Sequence, residues 1–251
     1  MRFVPVTVVT WNLQGRAGTD LAAVAAHLRS EACQVAFVQE VRWGQARRLA
    51  RILGARSRHW SFKHWPLTHA AEGLAVLGID RVVPARGHGL TARWRWWDWR
   101  RRIMQWGDVQ VDGVAVTVVP THLSPHGAGA VARAAEVEHV LAAVTGRDPL
   151  ILVGDMNESP GGPVHAALDA AGLLDAWEVA ATRAGAGPTN WSGPRVGAPD
   201  QRLDFVLVGG LLRVEAAAVP TEIDDAGWSR WAALSDHLPV TATLSAVRDA
   251  G

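Results

Sequence analysis

The chain has 251 residues, with 25 basic against 24 acidic and a net charge of +1. That length suits one large domain over residues 1–251, and a near-neutral balance gives no global field to draw in nucleic acid or an anionic membrane, so any such attraction must be local. The single cysteine, Cys33, excludes an intrachain disulfide, and no apolar run approaches the length that spans a bilayer.

The opening MRFVPVTVVTWN is too short an apolar run for a secretory signal, so the expectation is a cytoplasmic protein with no membrane span. Residues 4–10 are β-branched and apolar, a buried strand. Asp20 is placed to cap a helix over residues 21–29, with Leu21, Val24, Ala25 and Leu28 on one face. Residues 35–38 form a short apolar strand. Residues 45–53 read as a helix closed by Gly54. Residues 73–79 are a strand. Ile103–Val111 and residues 114–120 pair as a hairpin across Asp112-Gly113.

A long helix is expected over residues 128–145, with Val131, Ala135, Val137, Val140, Leu141 and Val144 for its buried face. Residues 150–153, 203–208 and 240–244 are further strands, residues 163–171 a helix closed by Gly172, and residues 185–197 a Gly/Pro-rich loop. Strands and helices mix throughout, with no repeat or dividing linker. The expected architecture is α/β, two stacked sheets flanked by helices.

Chemistry-bearing polar residues sit where these strands begin or end. Thr10-Trp11-Asn12 closes the first strand and Gln39-Glu40 the second. Thr121-His122 closes the hairpin, and Gly154-Asp155-Met156-Asn157 follows the 150–153 strand. Arg202-Leu203-Asp204 opens another, and Ser235-Asp236-His237 precedes the last. Loops on a rigid scaffold are where catalytic groups concentrate. Taken singly, each has a plain structural explanation: Asp155 and Asn157 suit an Asx turn, and His122 a satisfied buried histidine. The six in this order are not explained that way.

The stretches TWN, QE, THL, GDMN, RLDF and SDHLPV resemble the endonuclease/exonuclease/phosphatase superfamily. The resemblance implies a four-layer α/β sandwich of two mixed sheets between helices, and a metal-dependent phosphoester hydrolase. It implies that Glu40, Asn12 and Asp236 hold a divalent cation, Mg²⁺ or Mn²⁺ in its place, as hard oxygen donors do. Asp155 and Asn157 would handle the attacking water. His237, its tautomer fixed by Asp204, and His122 would contact the phosphoryl group. Glu72 stands where the deoxyribonuclease branch has an acid supporting the THL histidine. Apurinic endonucleases have an acid where this chain has Gln14 and a tyrosine where it has His122, and this chain has no tyrosine at all. Pro199-Asp200-Gln201-Arg202 keeps only part of the inositol polyphosphate 5-phosphatase element.

Residues 93–102 hold four tryptophans and five arginines. Trp96 and Trp97 could stack on bases while Arg101 and Arg102 meet phosphate, or the tryptophans could pack on the sheet under arginine stems. The expected substrate is therefore nucleic acid. A small-molecule or lipid-head-group phosphoester is the alternative, and a non-catalytic binding module a third.

Overall fold

The computed structural model describes residues 5–16, 18–64, 72–90, 102–125, 129–223 and 229–247. In chain order the elements begin β1 (Val6–Asn12), α1 (Leu21–Ser30), β2 (Val35–Arg42), α2 (Trp43–Leu53), β3 (Ser57–His64), β4 (Glu72–Gly78), β5 (Ala85–Leu90), β6 (Ile103–Val111) and β7 (Val114–His122). They continue α3 (Ala130–Val144), β8 (Leu150–Asp155), α4 (Pro163–Ala170), β9 (Leu174–Asp175), α5 (Ala176–Val179), β10 (Thr182–Ala184), β11 (Asp204–Gly209), β12 (Leu212–Ala218) and β13 (Val240–Ala246). Two mixed sheets stack between helices: seven strands in the order β10-β12-β13-β1-β2-β4-β3, and six in the order β5-β6-β7-β8-β11-β9.

The central strands are apolar on both faces because each face is covered. In β8, Ile151 and Val153 join the core between the sheets, while Leu150 and Leu152 join the core under α3 and α4. β11 repeats this, with Val206 and Val208 inward and Phe205 and Leu207 toward the helices. On the other sheet, Leu21, Val24, Ala25 and Leu28 of α1 and Ala46, Leu49, Ala50 and Leu53 of α2 are buried. The Asp20 carboxylate caps α1 by accepting from the Ala22 and Ala23 amides at 2.9 and 3.1 Å, and Gly54 closes α2 at φ +68°, as expected.

The face of α3 differs from the periodic reading. Val131 is 86% exposed and Ala135 is exposed, while Arg133 and Glu136 are buried. Hydrogen bonding decides this over hydrophobicity. Arg133 donates to Glu158 Oε2 from Nε (3.2 Å) and Nη2 (3.1 Å). Glu136 accepts from the Ser124 amide at 2.7 Å and the Ser124 hydroxyl at 2.5 Å. α3 thereby grips the two loops that follow β7 and β8. Cys33 is buried, and burial pushes its thiol well above the usual range. Among the described residues no helix is long and apolar enough to cross a membrane.

Candidate active site

Strand register gathers the polar residues. β1 and β2 run parallel with Asn12 opposite Gln39. β7 and β8 run parallel with His122 opposite Asp155. β11 returns antiparallel with Asp204 opposite Asp155. Asn12 and Glu40 of one sheet therefore meet His122, Asp155 and Asp204 of the other at one end of the sandwich. His237 arrives from the segment before β13.

Local backbone devices aim the groups. Val38 faces Ala75 and Val41 faces Gly73, so β2 carries one extra residue there. Glu40 lies in this bulge at φ +51°, and such bulges re-aim a side chain beside active sites. Asn157, at φ +52°, donates its backbone N–H to Asp155 Oδ1 at 2.8 Å and its amide to the Leu123 carbonyl at 3.0 Å. Gly154 has φ +137°, and a Cβ there would lie 1.9 Å from the Thr121 carbonyl oxygen. Only glycine lets β8 approach β7 this closely.

Asp155 Oδ2 is the centre. Asn12 Nδ2 donates to it at 3.0 Å; His122 Nε2 lies 3.6 Å and His237 Nε2 3.7 Å away. His122 Nε2 is also 3.8 Å from Glu40 Oε1. His237 Nδ1 donates to Asp204 Oδ2 at 2.7 Å, and the buried Thr189 hydroxyl donates to the same oxygen at 2.7 Å. The Thr189 hydroxyl also accepts from the Leu203 and Asp204 amides at 3.1 and 3.2 Å, which fixes its direction.

Burial raises the Asp155 carboxyl to about 6; His237 opposes the shift and Asp204 adds to it. Burial by itself would lower His237, but Asp204 and Asp155 beside it outweigh that and raise it to about 10. Near neutral pH the two groups face each other with opposite charge, 3.7 Å apart, a pairing found at catalytic sites.

A second layer surrounds them. The Ser235 hydroxyl donates to the Asn12 carbonyl at 2.6 Å, and Trp11 Nε1 to the His237 carbonyl at 2.9 Å. Asp236 Oδ2 accepts from Gln14 Nε2 at 2.6 Å, with Arg195 at 3.5 Å. Glu72 opens β4, buried, its carboxylate against Gly15, where a Cβ would meet Oε1 at 2.3 Å. Arg102 is buried at the start of β6. Trp96, Trp97 and Arg101 lie outside the described residues. Thr189, Arg195 and the Arg133–Glu158 pair carry no sequence signal for their place here. Thr189 comes from the Gly/Pro-rich loop, and only the fold sets it against Asp204.

Asp155, Asp204 and His237 each present a potential ligand atom within 4.8 Å of the others. Asp204 takes Nδ1 of His237, so Nε2 is the imidazole nitrogen that would face a cation in that trio. Glu40 and Asp236 offer carboxylate oxygens at the rim, their side chains 25% and 28% exposed, and the buried Asn12 an amide oxygen that also accepts from the Gln14 N–H at 2.9 Å; the chemistry of this hard-oxygen set fits a small divalent cation.

Two stacked mixed sheets between helices, with carboxylates and imidazoles gathered at one mouth, define an α/β sandwich with a candidate active site at one end. The sequence model of the endonuclease/exonuclease/phosphatase family matches residues 9–237, and the chain belongs to that family. No match was found among curated proteins. Among solved structures, an endonuclease/exonuclease/phosphatase family protein from Bacteroides thetaiotaomicron is 19% identical with a TM-score of 0.79, covering 97% of this chain and 98% of that one. A mannosyl-6-phosphatase from the same organism is 19% identical with a TM-score of 0.75, over 95% and 99% of the two chains. D. rerio TDP2, complexed with a single-strand DNA product, is 16% identical with a TM-score of 0.68, over 96% and 99%. At these identities the likeness is one of fold.

Proposed function

We propose that residues 1–251 form one catalytic unit, a divalent-metal-dependent hydrolase that cleaves phosphodiester bonds in nucleic acid by attack of an activated water. The observation that carries the hydrolase reading is the convergence on Asp155 Oδ2 of Asn12 (3.0 Å), His122 (3.6 Å) and His237 (3.7 Å), with His237 oriented by Asp204 (2.7 Å). Asp155, ionised above about pH 6, takes the proton of the water, and Asn157 holds the turn that aims it. His237, protonated at neutral pH, faces the phosphoryl oxygens and stabilises the charge that grows there. His122 approaches the same space from the second sheet. Glu40 and Asn12, with Asp236 beside them, would hold the cation, which polarises the phosphoryl oxygen and steadies the leaving oxygen when bound.

The sequence of residues 93–102 favours nucleic acid, with aromatic and cationic groups interleaved. A small phosphoester is the second reading, favoured by the fold likeness to a mannosyl-6-phosphatase. The test is purified protein with Mg²⁺ or Mn²⁺ against plasmid, single-stranded DNA, RNA, phosphomonoesters and diesters, with chelator and Asp155→Asn as controls. Hydrolysis that persists in excess chelator would remove the metal. Turnover of monoesters with none of nucleic acid would move the substrate to the second reading.

A further inference from the structure

The charge of this near-neutral chain is unevenly distributed. Residues 41–64 hold six arginines and one lysine with no aspartate or glutamate; the remainder has 18 basic against 24 acidic residues. Much of that positive run lies on the outer wall of the seven-stranded sheet. α2 starts directly after β2, so its first residue, Trp43, stands at the mouth three positions beyond Glu40. Ala46, Leu49, Ala50 and Leu53 face the protein, which leaves Arg48 and Arg51 exposed on the opposite side and Trp43 and Arg47 exposed on the flank between. Trp43, Arg47 and Arg51 fall at i, i+4 and i+8, one row down the helix. Arg56 and Arg58, both exposed, continue onto the edge strand β3. Among the described residues none of these five arginines pairs with a carboxylate. Trp43 is 51% exposed, with the Arg47 guanidinium 5.5 Å from its ring centre.

We propose that the exposed face of α2, from Trp43 at the mouth through Arg47, Arg48 and Arg51 to Arg56 and Arg58, is a docking track for a single nucleic-acid strand leading away from the active site. The proposal rests on nucleic acid being the substrate, and names where the strand lies outside the catalytic centre. An unneutralised arginine row is matched to a phosphate backbone, and an exposed indole at its head is a stacking platform for a base. The 11 residues of α2 extend about 16 Å at 1.5 Å per residue, the rise of roughly five stacked nucleotides at 3.4 Å. A lipid surface fits less well: a helix lying on a membrane turns its apolar face outward, whereas the apolar residues of α2 are turned in.

The test uses the full chain carrying Asp155→Asn, a labelled single-stranded oligonucleotide and a salt titration of binding, with and without Arg47→Gln/Arg48→Gln/Arg51→Gln. The triple variant is expected to bind at least tenfold more weakly at low salt. Its log Kd against log salt slope should be shallower by about 2, at roughly 0.7 per lost contact. Trp43→Ala is expected to cost about fivefold or more, with the slope kept. Arg→Lys at the same three positions should restore most of the binding, and thermal melting should show that all variants fold. Unchanged affinity and slope in the triple variant would overturn the track, as would a wild-type preference for anionic phosphatidylglycerol vesicles that the triple variant loses. If the active chain hydrolyses nucleic acid while the triple variant binds normally, the track fails and the activity stands. If the triple variant loses binding while the active chain cleaves no nucleic acid, the track stands and the activity fails.

Discussion

At the scale of single residues, the site turns on one shared oxygen. Asp204 Oδ2 accepts both His237 Nδ1 and the Thr189 hydroxyl at 2.7 Å, so Thr189 is a positioning residue for the carboxylate that orients the imidazole. Thr189→Val keeps the shape and removes the hydroxyl; kcat should fall about tenfold with KM nearly unchanged, and Thr189→Ser should recover most of it. Equal losses in the Val and Ser variants would mark a packing role. In the proposed mechanism Asp155, raised to about 6, loses its proton to act, and His237, raised to about 10, keeps its own. The rate should therefore rise through about pH 6 and fall toward about pH 10. Asp204→Asn removes the principal charge that raises His237 against burial, so the alkaline limb should move to lower pH; an unmoved limb would dissociate the dyad from catalysis. Asp155→Asn and His237→Ala should each cost about a hundredfold or more in kcat, and far less than the product when combined, because they serve one step. A fully multiplicative loss would assign them to separate steps.

At the scale of elements, the catalytic loops are held from outside as well as by the sheets. Arg133 and Glu136 of α3 grip the loops after β8 and β7, through Glu158 and Ser124. Arg133 and Glu158 are 3% and 6% exposed. Arg133→Ala leaves a buried carboxylate without its cation, at a cost of about 3–5 kcal/mol, read as a shifted denaturant midpoint with unchanged slope. A shift under about 1 kcal/mol would show that water takes the place of the guanidinium. The central strands were legible because both faces are apolar, as in β8 and β11, the start of α1 because Asp20 caps it, and the end of α2 because Gly54 closes it. β3, β5 and β12 were not. β3 (SRHWSFKH) is a polar edge strand, β5 (ARGHGL) is rich in glycine, and β12 (LRVEAAA) carries two charges and ends in three alanines; each exists by pairing with a neighbour rather than by its own propensity. The buried Arg133 and Glu136 were hidden because a polar residue on a helix reads as solvent-facing until its partner is known.

At the scale of the whole molecule, a mouth built from Glu40, Asp155, Asp204 and Asp236 gathers carboxylates whose charge a divalent cation would offset in the proposed mechanism. Saturating Mg²⁺ should raise the melting temperature, by about 2.7 kcal/mol of added stability at a hundredfold excess over Kd. Glu40→Gln should reduce that gain; an undiminished gain would place the cation elsewhere. The sequence by itself determined the family, through six short motifs in order. It also determined the two-sheet architecture, through strands apolar on both faces, and most of the residues of the mouth. The tertiary structure alone decided their geometry. Asn12, His122 and His237 reach one oxygen of Asp155 only because register sets Asn12 beside Gln39 and both His122 and Asp204 beside Asp155. It alone set Thr189 on Asp204 across 15 positions of chain. The acid-free run over residues 41–64 was present in the sequence, but only packing turned the apolar side of α2 inward and its arginines out beside the mouth. The reason is physical: composition and periodicity report which groups a segment carries and which it buries. Distances between segments are set by strand pairing and core packing, which no single segment contains.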